Sequence, residues 1–335
     1  MWLRLDIATL VTGASQTIHT GTNSDARSAI SSGQRRSSPM SQIGMTHLFN
    51  RKEDFRKGQT HQWAPSDSPE QYKLVAKDGR PNYTTADFNY EFNSHGFRCD
   101  EFVEEADLSI LFLGCSYTEG IGLPLEDIWP TFLLNKIRSI PQNTGKKIPY
   151  WSLALGGSSI DTAARVLYEH IDLIKPRYIF YLLSSMQRRE FCFDNTLITS
   201  WFPNPSSSYT KTSEFDVVSR VFVNDNYALY ETNRSLMILN QLVAHTGTKI
   251  FMFDLCSGDT INIHQKIQLM KPFNHIKYSR IDVPFTPMPL PKEFAYLSQK
   301  PVLARDSHHP GAAWQCNVYL HIWNRVCTEL TVTPL

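Results

Sequence analysis

Four short apolar runs stand out in the second part of the chain. They begin at Leu108 (LSILFLG), Tyr150 (YWSLAL), Tyr178 (YIFYLL) and Lys249 (KIFMF), and each ends in a Gly, Ser or Asp cluster. Continuous apolar runs of this length are typical of strands that are buried on both faces of a parallel sheet. The pattern therefore predicts four buried, parallel β-strands.

Between these runs, apolar residues recur at helical spacing. The stripe from Ile160 to Ile174 repeats at intervals of four, three, four and three residues. The predicted helices cover about residues 129–137, 160–174, 236–243 and 311–327. Helices that alternate with buried strands predict an α/β fold, in which right-handed crossovers cover both faces of the sheet.

The first 105 residues lack this alternation. Residues 1–45 are rich in Ser, Thr and Gly without periodicity, which predicts a flexible N-terminal arm. Residues 46–105 are rich in aromatic side chains broken by turn residues, which predicts an irregular lead-in segment packed on the main domain. The main domain spans residues 106–330, with long insertions at about 186–227 and 257–305 that are either lids or plain surface excursions.

Composition excludes several classes of protein. The 33 Lys and Arg residues balance 32 Asp and Glu residues, so there is no broad electrostatic footprint for nucleic acid. No apolar run is long enough to predict a transmembrane segment. Six scattered cysteines without a CxxC pair are interpreted as core thiols, which favours a reducing, intracellular compartment. The N-terminus is similar to a secretory signal interrupted by Asp6, so secretion stays an alternative.

A serine follows the first predicted strand in the motif GCSYTEG, residues 114–120. A turn between a parallel strand and the next helix exposes its side chains at the edge of the sheet where ligands gather. The free amides at the start of a helix can also donate to a developing oxyanion. Ser116 is therefore the candidate nucleophile, although the second glycine is not in the GxSxG position.

A candidate base precedes the last predicted helix, in RDSHHPG, residues 305–311. A carboxylate three residues before a histidine can accept a hydrogen bond from the imidazole and leave the other ring nitrogen free as a base. Asp306 and His309 have this spacing, whereas His308 is only two residues from Asp306. A metal site made of these three residues is the alternative, but no other part of the chain has matching ligand spacing.

Together these motifs resemble the SGNH, or GDSL-type, hydrolase superfamily. The resemblance covers about residues 106–328 and implies a three-layer α/β/α sandwich with a flavodoxin-like parallel sheet. It also implies a catalytic triad of Ser116, His309 and Asp306 that needs no cofactor. The motif NSHGFR, residues 93–98, is similar to a sequence found before many such domains.

The resemblance further implies an oxyanion hole made by the backbone amides of Ser116 and Gly157. The family's third donor is an Asn after the third strand, but this chain has LSSMQRRE over residues 183–190. Ser185 or Gln187 can donate instead, since hydroxyl and amide groups both serve in oxyanion holes. Loss of one donor costs about 10²–10³ in turnover, so a slower enzyme and a fold without catalysis both stay open.

Three residues are expected to contact the substrate. Tyr117 and His308 flank the triad, and Tyr117 can stack on a sugar. Arg188 follows the third strand, where a guanidinium can bind a carboxylate, sulfate or phosphate of the substrate. The alternative is that Arg188-Arg189-Glu190 is a solvated charge run that pairs with itself.

The resemblance implies a serine ester hydrolase that removes a small acyl group through an acyl-enzyme. An O-acetyl ester on a carbohydrate, or an ester of a lipid, is the first expected substrate, and lysophospholipid or thioester cleavage is the second. One alternative is a non-catalytic binding or structural module whose N-terminal arm docks a protein partner. Another is an acyltransferase that uses the same serine and passes the acyl group to an alcohol.

Overall fold

The computed structural model describes most of the chain from Arg51 onward. The described residues are 51–64, 66–77, 88–103, 105–186, 188–193, 196–201, 225–255, 274–283 and 289–332. The predicted arm over residues 1–45 and the candidate donor Gln187 lie outside them, as do large parts of both predicted insertions.

A parallel sheet forms the centre of the fold. The strands of the described residues are β1 (Thr60–His61), β2 (Tyr90–Glu91), β3 (Ile110–Leu113), β4 (Trp151–Ser152), β5 (Tyr178–Leu182), β6 (Arg188–Phe193), β7 (Thr196–Trp201), β8 (Lys249–Leu255) and β9 (Ile276–Ile281). Five of them form a parallel sheet in the order β4-β3-β5-β8-β9. This is the flavodoxin-like order, in which ligands bind beyond the carboxyl ends of β3 and β5.

Helices cover both faces of this sheet. They are α1 (Pro69–Lys77), α2 (Ser116–Glu119), α3 (Trp129–Arg138), α4 (Ile160–Ile174), α5 (Asp225–Ala244) and α6 (Ala312–Val332). Helices α3 and α6 pack on one face and α4 and α5 on the other, so the predicted three-layer α/β/α sandwich is confirmed. None of the described helices is long and apolar enough to cross a bilayer.

Alternation along each strand divides the core in two. In β3, Ile110 and Phe112 face the layer of α3 and α6, whereas Leu111 and Leu113 face the layer of α4 and α5. Every residue of β3 and β5 is buried, as expected for a sheet that is covered on both sides. The run at Tyr150 was predicted as a full strand, but only two residues of it pair in the sheet.

A capping box at the start of α4 fixes the loop that follows β4. Ser159 Oγ accepts a hydrogen bond from the Thr162 amide at 3.1 Å, and Thr162 Oγ1 accepts one from the Ser159 amide at 3.3 Å. The reciprocal bonds satisfy two helix-terminal donors and define where the helix begins. They therefore also limit the positions open to Gly157, two residues before the cap.

Two parts of the fold differ from the sequence prediction. The predicted insertion at 257–305 contributes an edge strand, β9, and the insertion at 186–227 contains the antiparallel hairpin β6-β7. The interpretation of residues 188–190 as a solvated charge run is wrong. Arg189 is buried and donates to the Ala228 carbonyl at 2.8 Å, and Glu190 is paired with Arg165.

The five described cysteines are free thiols. Cys115 and Cys316 are buried, in agreement with their interpretation as core residues, and Cys99 and Cys327 are half-buried. Cys192, in the hairpin β6-β7, is exposed, so the interpretation is wrong for that residue.

Candidate active site

Ser116 is the first residue of α2 and directly follows the turn after β3. Gly114 allows the chain to turn tightly there, because a Cβ at this position would lie 2.0 Å from Thr118 Oγ1. Ser116 is buried, with 7% of its surface exposed. Its amide is at the first position of the helix, where no carbonyl of the same helix is available to accept from it. The sequence thus presents both a hydroxyl and a free backbone donor at the carboxyl end of β3.

Asp306 and His309 form the pair that their spacing predicts. His309 Nδ1 lies 2.5 Å from Asp306 Oδ2, and Ser66 Oγ donates to the same oxygen at 3.1 Å. Asp306 Oδ1 accepts from the amides of His308 and His309 at 3.1 and 3.0 Å. Burial by itself raises the pKa of Asp306, but the hydrogen bonds and charge of His309 and the two amides outweigh it and lower that pKa. The ionised carboxylate therefore fixes the imidazole with its Nε2 outward.

A closed turn holds this pair in position. The Ala304 amide donates to the His309 carbonyl at 2.8 Å, and the Ser307 amide donates to the Ala304 carbonyl at 2.8 Å. Ser307 has a φ of 57°, in the left-handed region that a residue with a side chain adopts only at a cost. This backbone conformation turns Asp306 back toward His309, three residues later.

Tyr117 connects the Asp306–His309 pair to the nucleophile helix. The rings of Tyr117 and His309 meet edge to face with centroids 5.5 Å apart, and the Tyr117 ring also packs on Trp314 at 5.2 Å. Ser116 directly precedes Tyr117. Among the described residues, no hydrogen bond joins Ser116 to His309. Catalytic hydrogen bonds of this kind often tighten only when substrate is bound.

Gly122 brings the segment after α2 into direct contact with the turn that carries Asp306 and His309. The Arg305 amide donates to the Gly122 carbonyl at 2.8 Å. A Cβ on Gly122 would lie 2.8 Å from the Ala304 Cβ, and its φ of +79° is a conformation that favours glycine. A larger residue here would push the turn that carries Asp306 away from α2.

Gly157 lies in the loop between β4 and α4 and has a φ of +80°. Apart from Gly157 and its two chain neighbours, no described residue has an atom within 4 Å of the place where its Cβ would be, and its amide donates to none of the described acceptors. Its neighbour Ser158 is fixed, since its hydroxyl donates to the Gly114 carbonyl at 2.9 Å and its amide to the Leu155 carbonyl at 3.0 Å. An amide without a protein acceptor on an anchored loop is suited to bind an oxyanion.

The remaining predicted site residues are less closely defined. Ser185 is half-buried and its carbonyl accepts from the Arg188 amide at 3.1 Å, while Gln187 lies outside the described residues. Arg188 is half-buried at the start of β6. The His308 side chain is exposed. The roles of these four residues in binding stay predictions.

Sequence reasoning missed a group of charged residues beneath the site. Glu119, the last residue of α2, is buried and pairs with Arg56 of the lead-in segment. Glu119 Oε2 accepts from the Gly156 amide at 2.5 Å, and Lys52 Nζ donates to the Gly156 carbonyl at 2.7 Å. Burial opposes ionisation, but Arg56 and Lys52 outweigh it and lower the pKa of Glu119. In the sequence, these charges have no periodicity that would mark them as buried.

A second missed group anchors the turn of Asp306. Arg305 and Asp67 are both fully buried, and Arg305 Nη2 lies 2.6 Å from Asp67 Oδ2. Tyr90 donates its hydroxyl hydrogen to Asp67 at 2.6 Å and accepts from the Gly122 amide at 2.7 Å. The Arg305 guanidinium also lies 4.3 Å from the Trp63 ring centroid. The lead-in segment therefore contacts both catalytic segments through buried polar groups.

In the described part of the chain, no group of three or more His, Cys, Asp or Glu residues is arranged to hold a metal ion. Asp306 and His309 are instead bound to each other, and His308 points to solvent. The residues of the alternative metal site thus do not converge in this geometry.

No protein-family profile matches the sequence, and no curated protein matches it. Solved structures do resemble the fold. A psychrotrophic esterase from Pseudoalteromonas sp. is similar with a TM-score of 0.41 and 14% identity, over 67% of this chain and 99% of that one. An acetylxylan esterase from Geobacillus stearothermophilus has a TM-score of 0.36 and 10% identity, over 66% of this chain and 94% of that one. A GDSL-like lipase from Bacteroides thetaiotaomicron has a TM-score of 0.33 and 12% identity, over 66% of this chain and 88% of that one.

These similar structures are named as esterases and a GDSL-like lipase. At such identities and TM-scores, the likeness supports no statement about the activity of this chain. The chemistry has to be argued from the residues of the site itself.

Proposed function

We propose that this protein is a serine ester hydrolase of the SGNH type. The observation that carries the proposal is the 2.5 Å contact between Asp306 and His309, next to the helix that Ser116 begins. A buried carboxylate that accepts from one imidazole nitrogen leaves the other nitrogen as a general base. The ring contact between His309 and Tyr117, the neighbour of Ser116, supports the assignment of Ser116 as the partner of that base.

The proposed reaction has two steps. His309 Nε2 takes the proton of Ser116 Oγ as this oxygen attacks the acyl carbonyl, and Asp306 stabilises the imidazolium that forms. The tetrahedral intermediate collapses, the bond to the leaving alcohol breaks, and His309 returns the proton to the alcohol oxygen. Water then attacks the acyl-enzyme with His309 again as the base, which releases the acid and restores Ser116.

The amides of Ser116 and Gly157 are proposed to bind the oxyanion. The open surroundings of Gly157 and the helix-terminal position of Ser116 support these two donors. Ser185 or Gln187 is proposed as the third donor, in the position of the family's Asn. Replacement of each by Ala tests this assignment, since loss of a true oxyanion donor lowers kcat by about 10²–10³.

A small acyl ester, first of all an O-acetyl group on a carbohydrate, is the proposed substrate. The half-buried Tyr117 ring beside His309 offers a surface on which a sugar can stack, and Arg188 and His308 are proposed to contact the leaving group. Release of acetate from acetylated oligosaccharides, measured beside lysophospholipid and thioester hydrolysis, tests the substrate class. Added acceptor alcohols distinguish acyl transfer from hydrolysis through the formation of a new ester.

Labelling with a fluorophosphonate tests the activated serine directly. We expect the purified protein to gain one adduct by intact mass, and Ser116→Ala and His309→Ala to gain none. Ser298→Ala is the matched control, because Ser298 is an exposed serine outside the proposed triad. Absence of labelling in folded wild-type protein would contradict the proposal and favour the non-catalytic module.

A further inference from the structure

We propose that Lys52, in the lead-in segment, is a positioning residue for the oxyanion hole. Its role is to orient and polarise the peptide group whose N–H belongs to Gly157. The inference rests on the proposed function, because it assigns a task to the same oxyanion amide. Lys52 is 104 residues away from Gly156 in the chain, and the fold brings its ammonium to the carbonyl of that residue.

The geometry of one peptide group carries the argument. The Gly156 carbonyl and the Gly157 N–H belong to the same planar, trans peptide unit, so they point in opposite directions. Lys52 Nζ donates to the Gly156 carbonyl oxygen at 2.7 Å. The N–H at the other side of this unit therefore points away from the ammonium, in a loop where the Gly157 amide has no acceptor among the described residues. Lys52 thus determines the direction of this donor.

The Gly156 amide is held as well. Glu119 Oε2 accepts from it at 2.5 Å, and Glu119 is three residues after Ser116 in the same helix. Both polar groups of Gly156 are therefore bound to charged side chains, one of which moves with the nucleophile. This arrangement fixes the distance between the attacking Ser116 oxygen and the loop that binds the oxyanion.

Charge makes this contact more than a structural hydrogen bond. Hydrogen bonds to ionised groups are roughly twice as strong as neutral ones, and bonds in a chain polarise each other. An ammonium on the Gly156 carbonyl withdraws electron density from the peptide and makes the Gly157 N–H a better donor. Burial lowers the pKa of Lys52, and the charge of Glu119 opposes this effect. Partial removal of an ammonium from water is costly, and the neighbouring carboxylate of Glu119 offsets part of that cost.

The sequence lacks the Asn that serves as the third oxyanion donor in the family it resembles. A stronger Gly157 donor would therefore benefit catalysis in this chain. With the Asn missing after β5, the amides of Ser116 and Gly157 bear more of the oxyanion charge. A stronger Gly157 donor compensates for part of the loss, since donors act at the oxyanion in a water-excluded site.

Lys52→Met is the first variant to test, with Lys57→Met as the matched control. Lys57 is an exposed lysine of the same segment that pairs with Asp54. We expect Lys52→Met to lower kcat for an acetyl ester by about 10–10²-fold with KM changed by less than about threefold, less than the loss of a whole donor. Lys57→Met retains wild-type kinetics. Lys52→Gln, which can still donate to the carbonyl without a charge, is expected to give an intermediate kcat.

A second measurement does not depend on activity. Selective ¹⁵N labelling of glycine lets the Gly157 amide be followed by NMR, and we expect its proton resonance to move upfield in Lys52→Met and less so in Lys52→Gln. A folded Lys52→Met protein with kcat within twofold of wild type and an unmoved Gly157 resonance overturns the proposal. If Lys52→Met does not fold, the kcat and the Gly157 resonance of Lys52→Gln decide between the same two outcomes.

The failure of this inference is distinguishable from that of the proposed function. If wild-type protein is not labelled by the fluorophosphonate, the hydrolase proposal fails, while the Gly157 resonance still reports whether Lys52 orients the peptide. If wild-type protein is labelled and both Lys52 variants behave like Lys57→Met, the hydrolase proposal stands and the role of Lys52 is rejected.

Discussion

Asp306 determines whether His309 can act as a base. Its Oδ2 accepts from His309 Nδ1, and its Oδ1 is occupied by two backbone amides. Asp306→Asn replaces an acceptor by an amide that can turn its NH₂ toward Nδ1 and stabilise the other tautomer. We expect kcat to fall by about 10⁴-fold in steady-state ester hydrolysis, the effect typical of this replacement in a Ser-His-Asp triad.

One control variant and one stability measurement accompany Asp306→Asn. Asp282→Asn changes an exposed aspartate beyond β9 and is expected to keep wild-type kcat. The thermal midpoint of Asp306→Asn should stay near that of wild type, because the amide oxygen can still accept from the backbone amides. A kcat of Asp306→Asn within tenfold of wild type would refute the triad.

The candidate triad could be predicted from sequence because each of its residues has a local signal. Ser116 follows a buried strand, and Asp306 and His309 are three residues apart. Lys52 and Ser66 have no such signal. They act on residues 104 and 240 positions away, and nothing in the spacing of single charged or hydroxyl residues in an irregular segment indicates such contacts.

The packing of α4 on the lead-in segment makes stability depend on pH. His170 of α4 packs against the rings of Phe97 and Phe102, at 5.2 and 5.8 Å, and faces His95. Burial lowers the pKa of His170 from 6.5 to about 4. Between these values the unfolded chain binds a proton that the folded chain does not, so stability falls as pH drops from 6.5 to about 4. Thermal midpoints measured across this range should show the loss.

His170→Phe removes this titration and keeps an aromatic ring in the cluster. We expect the midpoint of the variant to fall less than that of wild type between pH 6.5 and about 4. His245→Phe, at an exposed position near the end of α5, should retain the wild-type pH dependence. If the thermal midpoints of His170→Phe and wild type fall equally with pH, His170 does not cause the loss of stability.

Arg165 connects three elements through charges that are largely shielded from solvent, since the side chains of Arg165 and Glu190 are 9% and 11% exposed. It binds Glu190 of β6 at 2.9 and 3.0 Å and Glu53 of the lead-in segment at 2.6 Å, and it lies 3.4 Å from Glu169. Removal of one partner of a buried pair leaves uncompensated charge and costs about 3–5 kcal/mol. We expect Arg165→Met to lose about this much in urea denaturation.

A matched surface pair provides the comparison for Arg165. Lys277 and Glu329 lie 2.6 Å apart, but the Lys277 side chain is 53% exposed. Exposed pairs contribute about 0–1 kcal/mol, so Lys277→Met should be nearly neutral. Equal losses in the two variants would mean that the Arg165 network adds nothing beyond an ordinary surface contact.

The elements that could be predicted are those with a simple pattern. Strands β3, β5 and β8 have continuous apolar runs, and α4 has a complete apolar stripe. The edge strand β9 is buried mainly at its two ends, so its sequence IKYSRI contains no apolar run. Strand β6 begins with charged residues whose pairing with α4 and α5 depends on the fold, which is why they were interpreted as solvated.

At the level of the whole molecule, the lead-in segment contacts the candidate site at three places. Ser66 contacts Asp306, Lys52 contacts Gly156, and Arg56 pairs with Glu119. These contacts reach Asp306, the loop between β4 and α4, and the helix that begins at Ser116. The division of the chain at residue 106 that the sequence predicts therefore separates the α/β domain from residues that contact its candidate site.

Two truncations test this dependence. A chain that begins at Gly44 keeps every contact described above, and we expect it to retain the wild-type thermal midpoint and fluorophosphonate labelling. A chain that begins at Ala106 leaves Arg305 and Glu119 buried without Asp67 and Arg56. Each unpaired buried charge costs about 3–5 kcal/mol, against a total stability of about 5–15 kcal/mol for a typical domain. The shorter chain is therefore expected to be unfolded by circular dichroism and unlabelled, and a folded, labelled product would show that the α/β domain builds its site alone.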